Sequence, residues 1–408
     1  MLILGPALFW FAILVLGYHY AGYPLALAVL ALIRGRNRPA AFPDDESLPR
    51  VTLVISAYNE QEVIERKVRN ALDLDYPAGR LEIVVASDGS TDRTTAMVRE
   101  FADRGVVLHD YQQQRGKNLA LNDTIPRASG EVVVFTDANG MYQRDAVRRL
   151  VQPFADPSVG SVCGELIYKN FNQNPIAEGY NRYWKLDQMQ KRLESRLGSL
   201  LGANGSIFAL RKSLCRPIRN DVCNDMVQPI WVAAAGHRCI YEPRALSFEA
   251  GSRNLGDELR RRSRIIGRGI RGIAAVWPDI VRGRAFLIGW ELLSRKGLRY
   301  LTPLWLLLLL LGSGLAPGIG YRAIFALQLL AYLSIPVGFL LPDGKLKKMA
   351  SPALYFGIGT LAAILGWWKV LSGSELGRWQ TAERPFEATG AAPATVESAT
   401  HARPVAPR

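Results

Sequence analysis

Charged residues are missing from the beginning of the chain. No Asp, Glu, Lys or Arg occurs in residues 1–33, and this run exceeds the roughly 20 apolar residues that cross a bilayer as a helix. A cleaved signal peptide is the alternative, but it would have a basic start and a short apolar core, whereas here the arginines follow the run. The sequence therefore predicts a membrane anchor over residues 1–33, followed by a linker over residues 34–50.

Cysteine and histidine are scarce. The 408 residues include four of each, without a Cys-x-x-C pair and without histidines at the spacing of zinc ligands. The cysteines all lie in the part that we expect to be cytosolic, where thiols stay reduced. The composition therefore argues against a disulfide framework and against a zinc site.

Three more stretches without charge lie near the other end of the chain, at residues 301–321, 323–342 and 349–368. Each is about long enough to span a membrane. Prolines interrupt the last two, which leaves a re-entrant or interfacial placement open, with a buried core helix as a further alternative for the third. We expect transmembrane helices over residues 299–372 and a mostly disordered tail over residues 373–408.

The net charge is strongly positive, at +14. Many basic residues lie beside the apolar stretches, as in cytoplasmic loops of membrane proteins, which explains the charge better than binding to nucleic acid does. The pattern predicts a multi-pass protein of the cell inner membrane, with the domain between the first and the later apolar stretches in the cytoplasm. The basic residues at the boundaries are Arg34, Arg36, Arg38, Arg295, Lys296 and Arg299.

Short apolar strands alternate with amphipathic helices after the linker. This alternation predicts a doubly wound, mostly parallel α/β sheet in a domain over residues 51–256. An arginine-rich helix and an interfacial amphipathic segment are expected over residues 257–298. Ligands of such sheets bind beyond the carboxyl ends of the strands. The predicted strands are 51–55, 81–86, 106–109 and 131–135, and the predicted helices are 60–72, 91–103 and 118–126.

Two acidic residues follow predicted strands. Asp88 precedes a glycine and small hydroxyl residues, and its carboxylate can accept hydrogen bonds from a base or a ribose. Helix capping is the alternative for Ser90 and Asp92. Asp137 offers a carboxylate to a divalent cation such as Mg²⁺ or Mn²⁺, with an ordinary turn as the alternative. Such an ion would neutralise a diphosphate leaving group.

A series of short segments occurs in a fixed order along the chain. Together they resemble the family 2 glycosyltransferases with a GT-A fold, and in particular the membrane-embedded synthases related to poly-N-acetylglucosamine, cellulose and hyaluronan synthases. The resemblance covers residues 1 to about 384, including the flanking apolar segments. The segments are residues 57–60, 87–92, 115–118, 137–139, 202–205, 224–225 and 260–271.

The resemblance implies a GT-A fold with a mixed, mostly parallel sheet, one N-terminal helix and about three C-terminal transmembrane or interfacial helices. It also implies a site for a nucleotide-sugar donor. Ala57, Glu60 and Asp88 would contact the base and the ribose, and Lys117 would lie near the donor. The cation and the diphosphate would be bound by Asp137, Asn139, Arg264 and Arg268.

The resemblance further implies a catalytic base and an acceptor side. Asp225 corresponds to the carboxylate that removes the acceptor hydroxyl's proton as this oxygen attacks the anomeric carbon, and direct displacement inverts the anomeric configuration. A helix cap or an ion-pair partner is the alternative for Asp225. Asn204 and Gly205 are expected on the acceptor side.

Two residues depart from the family's pattern. Asn139 stands where the family usually has a second aspartate, which affects the expected binding of the cation. Ile265 stands where processive members often have tryptophan after the arginine that corresponds to Arg264, so repeated addition of sugars is an open question.

The leading hypothesis is an inverting transferase that extends an exopolysaccharide from a nucleotide sugar, with a uridine diphosphate sugar expected because the resembling family mostly uses it. A single-addition transferase acting on a polyprenyl-phosphate-linked acceptor is the alternative. A membrane protein that binds nucleotide sugars without turnover is a third reading. The sequence implies membrane lipids as partners, predicts no binding of nucleic acid, and leaves partner subunits open.

Overall fold

The computed structural model describes residues 3–36, 39, 41–169, 177–250, 255–340 and 345–377. The predicted disordered tail therefore lies almost entirely outside the described residues. The anchor, the α/β domain and the C-terminal helices lie largely within them.

One sheet forms the centre of the α/β domain, with eight strands within the described residues in the order β3-β2-β1-β4-β7-β6-β8-β5. The strands are β1 (Val51–Ala57), β2 (Leu81–Asp88), β3 (Val106–Tyr111), β4 (Val132–Asp137), β5 (Met141–Tyr142), β6 (Val159–Lys169), β7 (Phe208–Arg211) and β8 (Arg238–Ala250).

Parallel pairing dominates the sheet. Strands β1 to β4 pair parallel with one another, as do β6 and β8, whereas β7 runs antiparallel between β4 and β6. All seven residues of β1 are buried, as is expected for a central parallel strand covered on both faces. The predicted fold class, a mixed and mostly parallel α/β sheet, is confirmed.

Helices cover the sheet and extend from it. They are α1 (Leu4–Gly17), α2 (Tyr23–Arg34), α3 (Ile64–Leu72), α4 (Thr94–Arg99), α5 (Lys117–Thr124), α6 (Ala146–Val151), α7 (Ala177–Leu197), α8 (Asn224–Ala234), α9 (Leu255–Arg282), α10 (Phe286–Leu292), α11 (Leu298–Tyr300), α12 (Thr302–Leu315), α13 (Ile319–Leu340) and α14 (Lys345–Leu371).

The elements around the site differ from the predicted bounds by a few residues. Strands β2 and β4 continue to Asp88 and Asp137, so both carboxylates lie on the last residue of a strand. Helix α3 begins at Ile64 rather than at residue 60. The physical reason is the sharp turn after β1, where Asn59 has a left-handed φ of 51°.

Three helices in the described residues are long and apolar enough to cross a membrane: Leu4–Arg34, Ile319–Leu340 and Met349–Leu371. The pair Phe286–Tyr300 and Thr302–Leu315 would add a fourth span, bent by 63°. Among the three predicted C-terminal stretches, residues 301–321 therefore form the short helix, which reaches the length of a span only together with the bent helix before it. The two later stretches are long helices despite Pro336 and Pro352, which lie inside α13 and α14.

Glycines bring the N-terminal helix against α12. A Cβ at Gly312 would lie 2.4 Å from the backbone nitrogen of Phe9, and a Cβ at Gly5 would lie 2.5 Å from that of Ala316. Small residues permit such close approach between membrane helices. The N-terminal helix thus packs on α12, so that apolar helices from before and after the α/β domain form one unit.

Candidate active site

The loops that follow β1 and β2 are tied together by hydrogen bonds. The backbone N–H of Asn59 donates to Ser90 Oγ at 3.1 Å, and Asn59 Oδ1 accepts the Thr91 N–H at 2.8 Å. Asp92 accepts the N–H of Gln61 and that of Thr94, at 3.1 and 2.9 Å. Asp92 therefore holds the start of α4, which is the structural role named above as the alternative to ligand binding.

The first two predicted donor residues flank these loops. Ala57 is the buried last residue of β1, and Glu60 is half-buried with its N–H donating to Thr94 Oγ1 at 2.8 Å. The structure thus places both at the carboxyl edge of the sheet, beside the end of β2. Their contact with a base or ribose stays a prediction.

Asp88 organises the segment that precedes α5. Its side chain is only 1% exposed. Its Oδ1 accepts the Arg115 N–H at 2.9 Å, and its Oδ2 accepts the Gly116 N–H at 2.7 Å. Each carboxylate oxygen keeps further lone-pair capacity for a ribose hydroxyl. Asp88 therefore fixes the backbone immediately before Lys117, whatever else it binds.

Lys117 and Asp137 form an ion pair at the end of β4. Their side chains are 16% and 29% exposed, so both are accessible to a ligand while partly shielded from water. Asn139 lies two residues further on and is half-buried, and its side chain makes no hydrogen bond to any residue that the structure describes. Lys117, Asp137 and Asn139 therefore offer one cation and two oxygen ligands near the sheet edge.

The turn that carries Asp137 rests on a lysine that the sequence analysis did not single out. Lys67 is fully buried in α3, and its Nζ donates to Thr136 Oγ1 at 2.9 Å and to the Gly140 carbonyl. The same Nζ lies 4.3 Å from the centre of the Tyr142 ring. Burial lowers the pKa of Lys67 to about 7, although Asp137 favours its charged form. Lys67 thus fixes both ends of the turn.

Asp225 is a carboxylate at the first turn of α8. Burial is the main cause that raises the pKa of its carboxyl, and the nearby Asp137 adds to the rise. The cationic groups of Lys117 and Lys296 oppose it, as does that of Arg268. A carboxylate that holds protons more tightly than usual, yet lies among cations, is suited to accept a proton at neutral pH.

The glycine-rich segment predicted for the acceptor side packs directly on Asp225. The Ala203 N–H donates to the Asp225 carbonyl at 2.7 Å, and a Cβ at Gly205 would lie 3.1 Å from Asp225 Oδ2. A Cβ at Gly202 would lie 3.4 Å from Lys296 Nζ. The segment can approach Asp225 this closely because glycine has no side chain.

Asn204 is held inside the protein. Its side chain is 6% exposed, its Oδ1 accepts a hydrogen bond from Lys191 Nζ at 2.7 Å, and its Nδ2 donates to the Gly164 carbonyl at 2.6 Å. These bonds fix the backbone of the segment beside Asp225. The structure therefore places the Asn204 side chain behind the segment rather than on its accessible surface.

The two predicted arginines lie on α9, and they differ in their contacts. Arg268 donates from Nε and Nη2 to the Val222 carbonyl, at 3.1 and 2.5 Å, and so supports the approach to α8. Arg264 is half-buried, and its guanidinium makes no hydrogen bond or ion pair with the residues that the structure describes. Burial and the charge of Arg268 lower the pKa of Arg264, and the negative charge of Asp137 opposes this lowering. Of these two arginines, Arg264 is therefore the one whose guanidinium is available to an anion.

Comparison with known proteins assigns the domain. Residues 52–219 match the family model described as Glycosyl transferase family 2. The chain carries a family 2 glycosyltransferase domain. This confirms the predicted resemblance, and the match includes the residues from Ala57 to Asn139 that we predict on the donor side and the segment with Asn204 and Gly205.

Two curated relatives illustrate the similarity. The chain is 30% identical over 212 residues to a beta-monoglucosyldiacylglycerol synthase of Nostoc sp., which covers 50% of this chain and 44% of that protein. It is 28% identical over 225 residues to the poly-beta-1,6-N-acetyl-D-glucosamine synthase of Staphylococcus aureus, which covers 54% of each. The chain thus spans about half the length of the curated relatives that it matches.

A solved structure supports the fold. The mannosyltransferase of Pyrobaculum calidifontis, in complex with GDP-Man and Mn²⁺, superposes with a TM-score of 0.65 and 24% identity, covering 90% of this chain and 100% of that one. At this identity the likeness concerns the fold. The predicted GT-A fold is thereby confirmed.

Proposed function

We propose that this chain is an inverting glycosyltransferase that moves a sugar from a nucleotide sugar to a hydroxyl of an acceptor at the membrane. The observation that supports this most is the proximity of Asp225, a half-buried carboxylate with a raised pKa, to the Lys117 and Asp137 ion pair. This proximity supports a base and an anion site at one edge of the sheet.

In the proposed reaction, Asp225 accepts the proton of the acceptor hydroxyl as its oxygen bonds to the anomeric carbon. The bond from this carbon to the nucleoside diphosphate breaks, and the diphosphate carries away the electron pair. Attack from the face opposite the leaving group inverts the anomeric configuration. The half-buried cations of Lys117 and Arg264 stabilise the charge that develops on the diphosphate. A uridine diphosphate sugar is our expected donor.

A divalent cation fits the oxygen ligands beside the donor site. The Asp137 carboxylate and the Asn139 side-chain carbonyl would hold Mg²⁺ or Mn²⁺, which prefer such hard ligands and often complete their shell with substrate phosphates. When bound, the ion would supply positive charge to the diphosphate. The described residues contain no group of three or more acidic, His or Cys side chains that could hold a metal by itself, so we propose that donor and ion bind together.

A growing exopolysaccharide is our first candidate acceptor. Lys296, which lies beside Asp225 and Gly202, belongs to the segment between α10 and α12 and thus to the entry into the membrane region. An acceptor that leaves through the membrane would pass this segment. One curated relative is named as a polysaccharide synthase.

A lipid acceptor, for which we keep the polyprenyl-phosphate-linked class, is the second candidate. It is favoured by the exposure of the membrane helices, since α13 is exposed over nearly all of its length in the described residues. So little mutual burial gives a polymer channel few walls within one chain. The other curated relative is named as a glycolipid synthase.

We further propose an inner-membrane protein with several spans and a cytoplasmic catalytic domain. The basic residues at both membrane boundaries support this orientation, since such residues favour the cytoplasmic side. Arg34 ends the first span and Arg36 follows it, and Arg295, Lys296 and Arg299 lie where the chain returns to the membrane.

The test is donor turnover by the detergent-purified chain with a panel of nucleotide sugars and Mg²⁺ or Mn²⁺, with the product sized and its anomeric configuration determined. The Asp225→Asn variant should lose turnover by a factor of about 100 or more and still bind donor. Long products would support the polysaccharide, and a single added sugar would support the lipid acceptor. Donor binding without turnover in the unaltered protein would contradict the enzyme and favour the non-catalytic reading.

A further inference from the structure

A basic cleft lies apart from the residues assigned to catalysis. It has a volume of about 630 Å³ and is bounded by the segment after the first span, the C-terminal half of α7 and the beginning of β8. Its lining contains several arginines and, among the described residues, one carboxylate, that of Glu242. The arginines are Arg36, Arg192, Arg196, Arg238 and Arg244.

Ion pairs within the protein account for two of these arginines. Arg238 pairs with Asp156 at 2.8 Å, and Arg244 pairs with Glu242 at 2.7 Å. These pairs hold the wall formed by β8. The positive charge that these ion pairs do not neutralise belongs to the arginines on the other side of the cleft.

Three arginines of the cleft have uncompensated charge. The side chains of Arg36, Arg192 and Arg196 are exposed and make no hydrogen bond or ion pair with any residue in the described ranges. Several cations along a concave surface focus a positive potential, which attracts an anion. The planar guanidinium matches the oxygens of a phosphate with two parallel hydrogen bonds.

The walls of the cleft are fixed to one another. The Arg36 N–H donates to the Arg196 carbonyl at 2.7 Å, which joins the segment after the first span to α7. The Tyr241 N–H donates to Ser195 Oγ at 2.9 Å, which joins β8 to the same helix. The arginines therefore extend from a preformed backbone, so the binding of an anion does not include the free-energy cost of assembling that backbone.

Large exposed apolar side chains precede the cleft arginines along the chain on two elements. Leu32 and Ile33 are 74% and 73% exposed on the last turn of α2, and Arg36 follows three residues after Ile33. Met189 is 42% exposed on α7, about one turn before Arg192. The surface thus changes from apolar to basic over a few residues on both elements. This change matches a ligand with an apolar part and an anionic head.

We propose that the cleft binds the phosphate group of an anionic glycerophospholipid, whose acyl chains lie against Leu32 and Ile33. The first candidate span ends at Arg34, directly before the cleft, so the site lies where the membrane surface meets the catalytic domain. Binding there would hold α7 at the membrane surface, and α7 carries Lys191, which bonds to Asn204. The site is separate from the donor and from the acceptor.

The test uses the full chain, delipidated in detergent and titrated with dioleoyl-phosphatidylglycerol, with bound lipid counted by native mass spectrometry. We expect the double variant Arg192→Gln with Arg196→Gln to bind about thirtyfold more weakly, given the usual contribution of two basic residues at an anionic membrane surface. A matched control removes two exposed arginines outside the cleft, Arg104→Gln with Arg127→Gln, and should bind like the unaltered protein. Equal thermal unfolding midpoints would show that all forms are folded.

Two further probes distinguish a lipid from other ligands. Dioleoyl-phosphatidylcholine should not compete for the site, since its head carries no net charge, and soluble glycerol 1-phosphate should compete only at far higher concentration. Equal binding by the cleft variant and the control would overturn the proposal. Competition by glycerol 1-phosphate at the same concentration as the lipid would also overturn it, because the site would then recognise a soluble anion.

Discussion

Gly205 lies so close to Asp225 that a Cβ built on it would be 3.1 Å from the carboxylate Oδ2. This distance is tighter than ordinary van der Waals contact, so a methyl group would displace either the segment or the carboxylate. Since the segment is fixed from behind through Asn204 and Lys191, we expect the carboxylate to move.

The Gly205→Ala variant should therefore lose turnover by about 10- to 100-fold, because a displaced base no longer meets the acceptor hydroxyl. Donor binding and the thermal unfolding midpoint should change little. Gly359→Ala is the matched control, since a Cβ there would meet no atom within 4 Å. Unchanged turnover in Gly205→Ala would show that this approach has no role in catalysis.

The acid limb of the pH profile should depend on Lys296. The proposed role of Asp225 as a base requires it to be deprotonated, and burial raises the pKa of its carboxyl while Lys296 opposes that rise. Removing the cation in Lys296→Met should raise the pKa of Asp225 further. Turnover should then fall at a higher pH on acidification than it does in the unaltered protein.

Lys296→Arg provides the control for this shift, since it keeps the positive charge. The measurement is kcat/KM for the donor as a function of pH, at saturating acceptor. An acid limb at the same pH in the unaltered protein and in Lys296→Met would mean that another group limits turnover at low pH.

The alternation of strands and helices could be predicted because buried parallel strands read as short apolar runs. The places of Asp88 and Asp137 followed, since both come at the carboxyl end of such a run. Lys67 was missed although the helical period contains a signal. It falls on the same face as Ile64, Val68 and Ala71, all of them buried.

The residues that support the site could not be placed from sequence because their partners are distant along the chain. Lys67 is buried because Thr136 and Gly140, about 70 residues later, provide acceptors for its ammonium group. Asn204 resembles an acceptor-side residue by its motif, yet Lys191 and Gly164 hold its side chain inside. Motif spacing identifies which residues belong to a site, whereas tertiary contacts decide which way each side chain points.

Lys67→Met should weaken the turn that carries Asp137. The variant leaves the Gly140 carbonyl without its buried donor, which costs about 1–3 kcal/mol of the free energy of unfolding. We expect a lower thermal unfolding midpoint and a higher Mn²⁺ concentration for half-maximal turnover. Lys185→Met, which removes an exposed lysine of α7, should leave both unchanged.

The same variant tests the pKa of Lys67, which burial lowers from 10.5 to about 7. Between these two pH values the unfolded chain keeps the proton that the folded chain has lost, so the stability of the unaltered protein gains with rising pH. The difference in unfolding midpoint between the unaltered protein and Lys67→Met should therefore grow from about pH 7 to pH 10. A constant difference over this range would contradict a lowered pKa.

Asn139→Asp should strengthen the binding of the cation. Asn139 lies two residues after Asp137 and offers a neutral carbonyl oxygen, and a carboxylate at this position would add a negative charge to the ligand set. Affinity of hard cations rises with the charge of their ligands, so the Mn²⁺ concentration for half-maximal donor binding should fall by about tenfold. Asn139→Ala should raise it, because the oxygen is lost. The measurement is donor binding at a series of Mn²⁺ concentrations, and identical curves for both variants would mean that the ion binds without residue 139.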